Sequence, residues 1–269
     1  MSEGETILLT GLPRSGTTLT CSLLNECPDV VALAEPIQLE RHGDRALAVE
    51  EIAAFADAMR RRALDEGVVV SKHVNGVISD NFAEPPSSGS AKRKVLAMHG
   101  EVPIGKRLSA DFQLFIKHPA EFTALADLLT PRFKLFALVR NPLDVLAAWQ
   151  TVEMPVGRGH MPMAEAFAPG LAARQAGIPD CLERQVALME WLLGIYARLP
   201  PERVIRYEDM IADPLGTLLR LTRHARRPQR LLSGHDSSRR YQGVDLKAVA
   251  SALSRIAPLI RQFYPQFDT

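Results

Sequence analysis

Short apolar runs punctuate the chain, and glycine, proline or charged residues stop each of them. Residues 6–10 run into Gly11 and Pro13, residues 30–34 end before Pro36, and residues 68–70 are three valines. Residues 112–116 and 135–139 repeat the pattern, and 204–207 is a shorter, later case. Runs of this length without polar alternation predict strands buried on both faces. Helical stretches fall between them at 16–26, 46–66, 122–129, 142–151 and 181–198, and again at 215–223 and 245–263. Buried strands alternating with helices predict an α/β fold with a central parallel sheet flanked by helices. No repeat or linker divides the chain, so residues 1–269 are expected to form a single domain. Residues 84–94, rich in Pro, Ser and Gly, predict a loop, and 154–177, rich in Gly, Pro, Met and Ala, predict a lid.

Composition narrows the function. Hydrophobic residues make up 46% of the chain and charged residues 23%, a globular balance that excludes disorder as the main state. The 32 Lys and Arg nearly cancel the 31 Asp and Glu, for a net charge of +1. No global basic field exists, which argues against a nucleic acid polymer as partner. An anionic ligand must therefore be held by local charge. Cys21, Cys27 and Cys181 and the scattered histidines lack metal-ligand spacing, so no metal site is expected. With no signal-like N-terminus and no bilayer-length apolar run, the sequence predicts a cytoplasmic protein.

The first strand leads into Gly11-Leu12-Pro13-Arg14-Ser15-Gly16-Thr17-Thr18. The two glycines have the spacing of a phosphate-binding loop between strand and helix. Backbone N–H groups in such a turn form an anion nest, and the helix beginning near Gly16 adds its positive end. A nucleoside triphosphatase needs Lys and then Ser or Thr after the second Gly, for the phosphates and Mg²⁺. Thr17 occupies the Lys position here, and the fixed charge comes from Arg14 instead. A second anion site follows the strand at 135–139. There Arg140 precedes Asn141, Pro142 and Asp144, which suit an N-cap, a first helical position and a capping box.

Two anion sites at the carboxyl ends of strands suggest a nucleotide with phosphate at both ends. PRSGTT at 13–18, RNPLDVLAA at 140–148 and RYEDM at 206–210 followed by Asp213-Pro214 resemble the PAPS-dependent sulfotransferases. The resemblance implies a three-layer, P-loop-like fold. It also implies transfer of a sulfuryl group from PAPS, 3′-phosphoadenosine 5′-phosphosulfate, to a hydroxyl on a small molecule, lipid or glycan, without a metal. It implies that Arg14, Ser15, Gly16, Thr17 and Thr18 hold the 5′-phosphosulfate, that Arg140 holds the 3′-phosphate, and that Tyr207 lies near the adenine. Arg239 and Arg240 are the nearest counterpart of the family's nucleotide-closing loop. One departure is Ala148, where the family usually carries a Ser that assists the Arg.

Sulfuryl transfer needs a base for the acceptor hydroxyl and stabilisation of charge on the leaving oxygen. Arg14 suits the second task. Two residues compete for the first. Glu35, before Pro36, resembles the Glu base of several bacterial and glycan sulfotransferases, and His118, between Lys117 and Pro119, resembles the His base of cytosolic members. Lys117, Lys72 and His73 fall on the same expected edge of the sheet. Segments 80–110 and 154–180 are expected to cover the acceptor. The alternatives are a small-molecule kinase with a degenerate P-loop and a non-catalytic nucleotide-binding protein.

Overall fold

The computed structural model describes residues 4–40, 43–82, 95–232, 241 and 243–267. The strands are β1 (Thr6–Gly11), β2 (Val30–Ala34), β3 (Val68–His73), β4 (Met98–Pro103), β5 (Gln113–Lys117), β6 (Lys134–Val139) and β7 (Val204–Arg206). Five of them form one parallel sheet in the order β2-β5-β1-β6-β7, flanked by helices. β2 and β5 are buried at every position, and β1 and β6 at every position but the first. This is why the sequence shows them as unbroken apolar runs rather than alternating ones.

The three valines at 68–70 were expected to extend this sheet. Instead β3 pairs antiparallel with β4 in a separate two-stranded ribbon. Its residues alternate between buried and half-buried, as in a ribbon covered on one face. β4 reads MHGEVP, and its Gly and Pro hide it from any strand pattern. Ser71, buried in β3, receives the backbone N–H of Ala34 at 2.9 Å. That bond ties the ribbon to the end of β2 and brings Lys72 toward the main sheet. The helix expected at 122–129 is broken at Leu125 into Glu121–Ala124 and Ala126–Leu129.

The central strand β1 lies between β5 and β6, which the chain reaches on opposite sides. Such a reversal of strand order leaves a crevice at the carboxyl ends of the strands. β1 ends at Gly11 and the first long helix begins at Thr17, so the Gly-rich loop fills the turn between them. The loop is anchored to β6. The Leu138 carbonyl accepts from Leu12 N–H at 2.9 Å and from the Ser15 hydroxyl at 3.0 Å. Trp149, fully buried in the helix Pro142–Gln150, donates from Nε1 to the Pro13 carbonyl at 2.8 Å.

Gly11 is required by this contact. Its φ is +152°, and a Cβ there would sit 2.4 Å from the Leu138 oxygen. Gly11→Ala is expected to lower stability by about 1–3 kcal/mol through overpacking against backbone. Urea denaturation checks this, and wild-type stability in the variant would show that the loop anchor gives way freely.

Candidate active site

The loop after β1 turns through two left-handed residues, Arg14 at φ +72° and Gly16 at φ +89°. Glycine is needed at the second, because a Cβ would lie 2.6 Å from the Tyr207 ring. Ser15 was expected to touch the ligand, but it faces inward. It is fully buried, its hydroxyl is bonded to Leu138 and its N–H to the Leu12 carbonyl. Arg14, Gly16, Thr17 and Thr18 line a cavity of about 390 Å³.

Arg140 lines the same cavity from the end of β6, with only 6% of its surface exposed. Its guanidinium lies 4.8 Å over the Tyr207 ring, and Nη2 is 3.4 Å from both Asp144 Oδ2 and the Tyr241 hydroxyl. Nη1 reaches the Arg14 carbonyl at 3.5 Å, tying the two cationic loops together. Asp144 was expected to close a capping box, but it turns to Arg140 instead. Glu208 does the capping work: Oε1 accepts from Asn141 N–H at 2.9 Å and Oε2 from the Tyr264 hydroxyl at 2.8 Å. The Asn141 cap holds as expected, accepting from Leu143 N–H at 3.0 Å. At Ala148 the small side chain is covered by Tyr241, which returns a hydroxyl to the neighbourhood of Arg140. Arg239 and Arg240 lie outside the described residues.

A second cavity of about 280 Å³ opens on the other side of the loop. Arg14, Thr17 and Thr18 line both cavities, so the two meet at the positive end of the first helix. Glu35 borders the second cavity, with 28% of its side chain exposed. Its backbone is left-handed, at φ +46°. A non-glycine residue in that region costs on the order of 1–3 kcal/mol and is held only by its surroundings. Here Glu35 N–H is bonded to the Lys117 carbonyl at 2.7 Å. The carboxylate accepts from Lys117 Nζ at 2.6 Å and Lys72 Nζ at 2.5 Å. Burial pushes the Glu35 carboxyl upward, but the two ammonium groups outweigh it and hold the group well below the usual carboxylate range. Lys117 Nζ also lies 3.5 Å from Thr18 Oγ1, so it bridges Glu35 to the anion loop.

His118 points elsewhere. It is 2% exposed and absent from the lining of both cavities. Its Nε2 accepts the Ile37 N–H at 3.0 Å, and Nδ1 lies 3.1 Å from Glu121 Oε2. The Nε2 lone pair is thus engaged by backbone, and the ring shapes the turn after Glu35. His73 likewise accepts locally, from Gly76 N–H at 3.0 Å. Among the described residues no group of three His, Cys, Asp or Glu side chains is disposed to hold a metal ion.

The model of the sulfotransferase family matches residues 6–230, most of the chain. The chain belongs to the sulfotransferase family. No curated protein matches it significantly. Solved structures similar to it include the sulfotransferase STF1 from Mycobacterium tuberculosis H37Rv, at 16% identity and TM-score 0.38, over 94% of this chain and 77% of that one. The sulfotransferase domain from the curacin biosynthetic pathway is 16% identical with TM-score 0.37, over 95% and 98% of the two chains. STF9 from Mycobacterium avium is 17% identical with TM-score 0.36, over 95% and 76%.

In this member of the sulfotransferase family, sequence reasoning missed Trp149, Glu208 and Arg230 as parts of the site, whereas Tyr241 ends the stretch 237–241 expected to close on the nucleotide. Arg230 lines the first cavity and is tied to Asp80 and to the Ser22 hydroxyl, both at 2.9 Å. The basic run at 226–230 was its one sequence signal.

The depressed Glu35 carboxyl fixes the sign of an acid effect. Its stabilisation is present above the unfolded-state carboxylate value and is lost only as pH falls through the lower folded-state value. Replacing buried Lys117 by Met removes one of the two opposing charges. Lys117→Met is therefore expected to begin losing stability at higher pH than the wild type. Urea midpoints between pH 2 and 7 check this; superimposable acid limbs would show that Lys117 does not hold the carboxyl down.

Proposed function

We propose that this chain transfers a sulfuryl group from PAPS to a hydroxyl on a small molecule, lipid or glycan acceptor. The observation that carries this reading is the meeting of two cavities at Arg14, Thr17 and Thr18, one lined by Arg140 and the other by Glu35. The first has the features of a nucleotide bisphosphate site. Buried Arg140 has no hydrogen-bond partner at Nε among the described residues, an unspent donor in the cavity wall. Charge-assisted bonds to phosphate suit such a group.

When bound, PAPS supplies the sulfuryl group and a phosphate leaving group. The chain's own residues do the rest. Arg14, Thr17, Thr18 and the N-terminal amides of the first helix bind the anionic end nearest the junction. Arg140, backed by Tyr207 and Tyr241, binds the other phosphate. Glu35 takes the acceptor hydroxyl's proton on a carboxylate oxygen. Clamped by two lysines, this carboxylate is a weak base. Lys117 lies between it and Thr18, so attraction of Lys117 toward an anion at Thr18 relaxes the clamp and raises the proton affinity of Glu35. His118 keeps the Glu35 turn in place through Ile37.

Calorimetric titration with 3′-phosphoadenosine 5′-phosphate, against ATP with Mg²⁺, tests the donor site. Loss of charged hydrogen bonds worth roughly 1.5–3 kcal/mol predicts that Arg140→Ala weakens the bisphosphate at least tenfold. Binding of ATP with Mg²⁺ alone would instead indicate a kinase. Glu35→Gln is expected to keep bisphosphate affinity and lose about 10²–10⁴-fold in kcat. Unchanged turnover in that variant would remove Glu35 from the mechanism, and bisphosphate binding without turnover on any hydroxyl acceptor would mark a non-catalytic binding protein.

A further inference from the structure

The second cavity has two unlike sets of lining residues. Four of its ionisable side chains, Arg14, Glu35, Lys72 and Lys117, stand at the loop end. An apolar wall is formed by Phe82, Val95, Met154, Val156, Met161 and Met163. Two further ionisable groups border it: Glu121, 3.1 Å from His118 Nδ1, and His160, whose Nδ1 lies 3.1 Å from Glu165. Among the described lining residues, that apolar wall offers thioether and hydrocarbon surface. A sugar placed there would bury several hydroxyls against groups that cannot replace their water, at a cost for each. A hydrocarbon placed there loses nothing and removes apolar area from water. At about 280 Å³ the space suits a ligand at the small end of the usual range of ~300–1,000 Å³. The three methionines can re-pack around different apolar shapes.

We infer that the acceptor is a small lipophilic alcohol, with its hydroxyl at Glu35 and its hydrocarbon body against the Met154–Met161–Met163 wall. This rests on reading the second cavity as the acceptor site. It narrows the acceptor from any hydroxyl compound to one with a single polar end. Among the described residues of that wall, no lysine or arginine stands to meet a carboxylate or phosphate on the hydrocarbon body. Among the described residues of that wall, His160 is the one polar side chain a ring of sugar hydroxyls would meet.

A homologous series from 1-butanol to 1-octanol tests this by direct binding to the full chain, with and without 3′-phosphoadenosine 5′-phosphate. N-acetylglucosamine serves as the polar comparison. The expected result is a Kd that falls by up to about fourfold per added methylene until the cavity is full. N-acetylglucosamine is expected to bind more weakly than 1-octanol. Met163→Glu, a half-exposed position, is expected to flatten the chain-length dependence while leaving bisphosphate affinity intact. Met154→Glu serves the same purpose if that variant fails to fold. A Kd independent of chain length, or tighter binding of N-acetylglucosamine than of 1-octanol, would overturn the inference. The chain-length series does not depend on the nucleotide. Its success without bisphosphate binding would leave the lipophilic cavity standing and sink the sulfotransfer reading instead.

Discussion

A single peptide oxygen, the Leu138 carbonyl, sets the geometry on which the site depends. It receives Leu12 N–H and the Ser15 hydroxyl, and it occupies the space a side chain would need at Gly11. Because β1 and β6 are parallel neighbours, their carboxyl ends emerge together, one into the Gly-rich loop and the other into Arg140. The Leu138 contact fixes the spacing between these two ends. Trp149 repeats the clamp from the next helix, through the Pro13 carbonyl. The two cationic centres are thereby placed by buried hydrogen bonds to main-chain carbonyls, and they can be pre-organised for an anion.

Charge is concentrated where the chemistry needs it, although the chain as a whole is nearly neutral. Lys117 is 1% exposed, a position that an ammonium group occupies only when it is paired. Its partner Glu35 is itself held in a left-handed conformation by the Lys117 carbonyl. The pair is therefore fixed twice, by main chain and by side chain. The resulting carboxylate is acidic at rest, and Lys117, one of the two cations that make it so, also reaches the anion loop. The same cavity is lined by Met154, Met161 and Met163.

Several readings of the sequence changed once side-chain directions were known. Ser15 and His118 have the right residue types at the right places in the chain, yet both spend their polar atoms on backbone, at Leu138 and Ile37. Asp144 stands three residues into its helix, where a capping carboxylate belongs. The nearby Arg140 charge competes for it, and Glu208 from a distant helix serves Asn141 instead. The valines at 68–70 do form a strand, but in a ribbon of their own, because their partner β4 carries too little apolar character to be seen. Residue type and spacing report what an atom can do; they do not report which way it points.

The sequence by itself determined the local parts: the buried strands, the helix starts, and a phosphate-type loop with Arg14 in place of the usual lysine. These follow from steric rules and hydrogen bonds among near neighbours, which a short segment carries with it wherever it folds. Only the tertiary structure decided the composite parts. Lys72, Glu35 and Lys117 come from three separate stretches of chain, and Tyr241 reaches Arg140 across a hundred and one positions. Such contacts exist because the order of strands in the sheet brings their ends to one edge. That order is set by long-range packing, which no periodicity within a segment records.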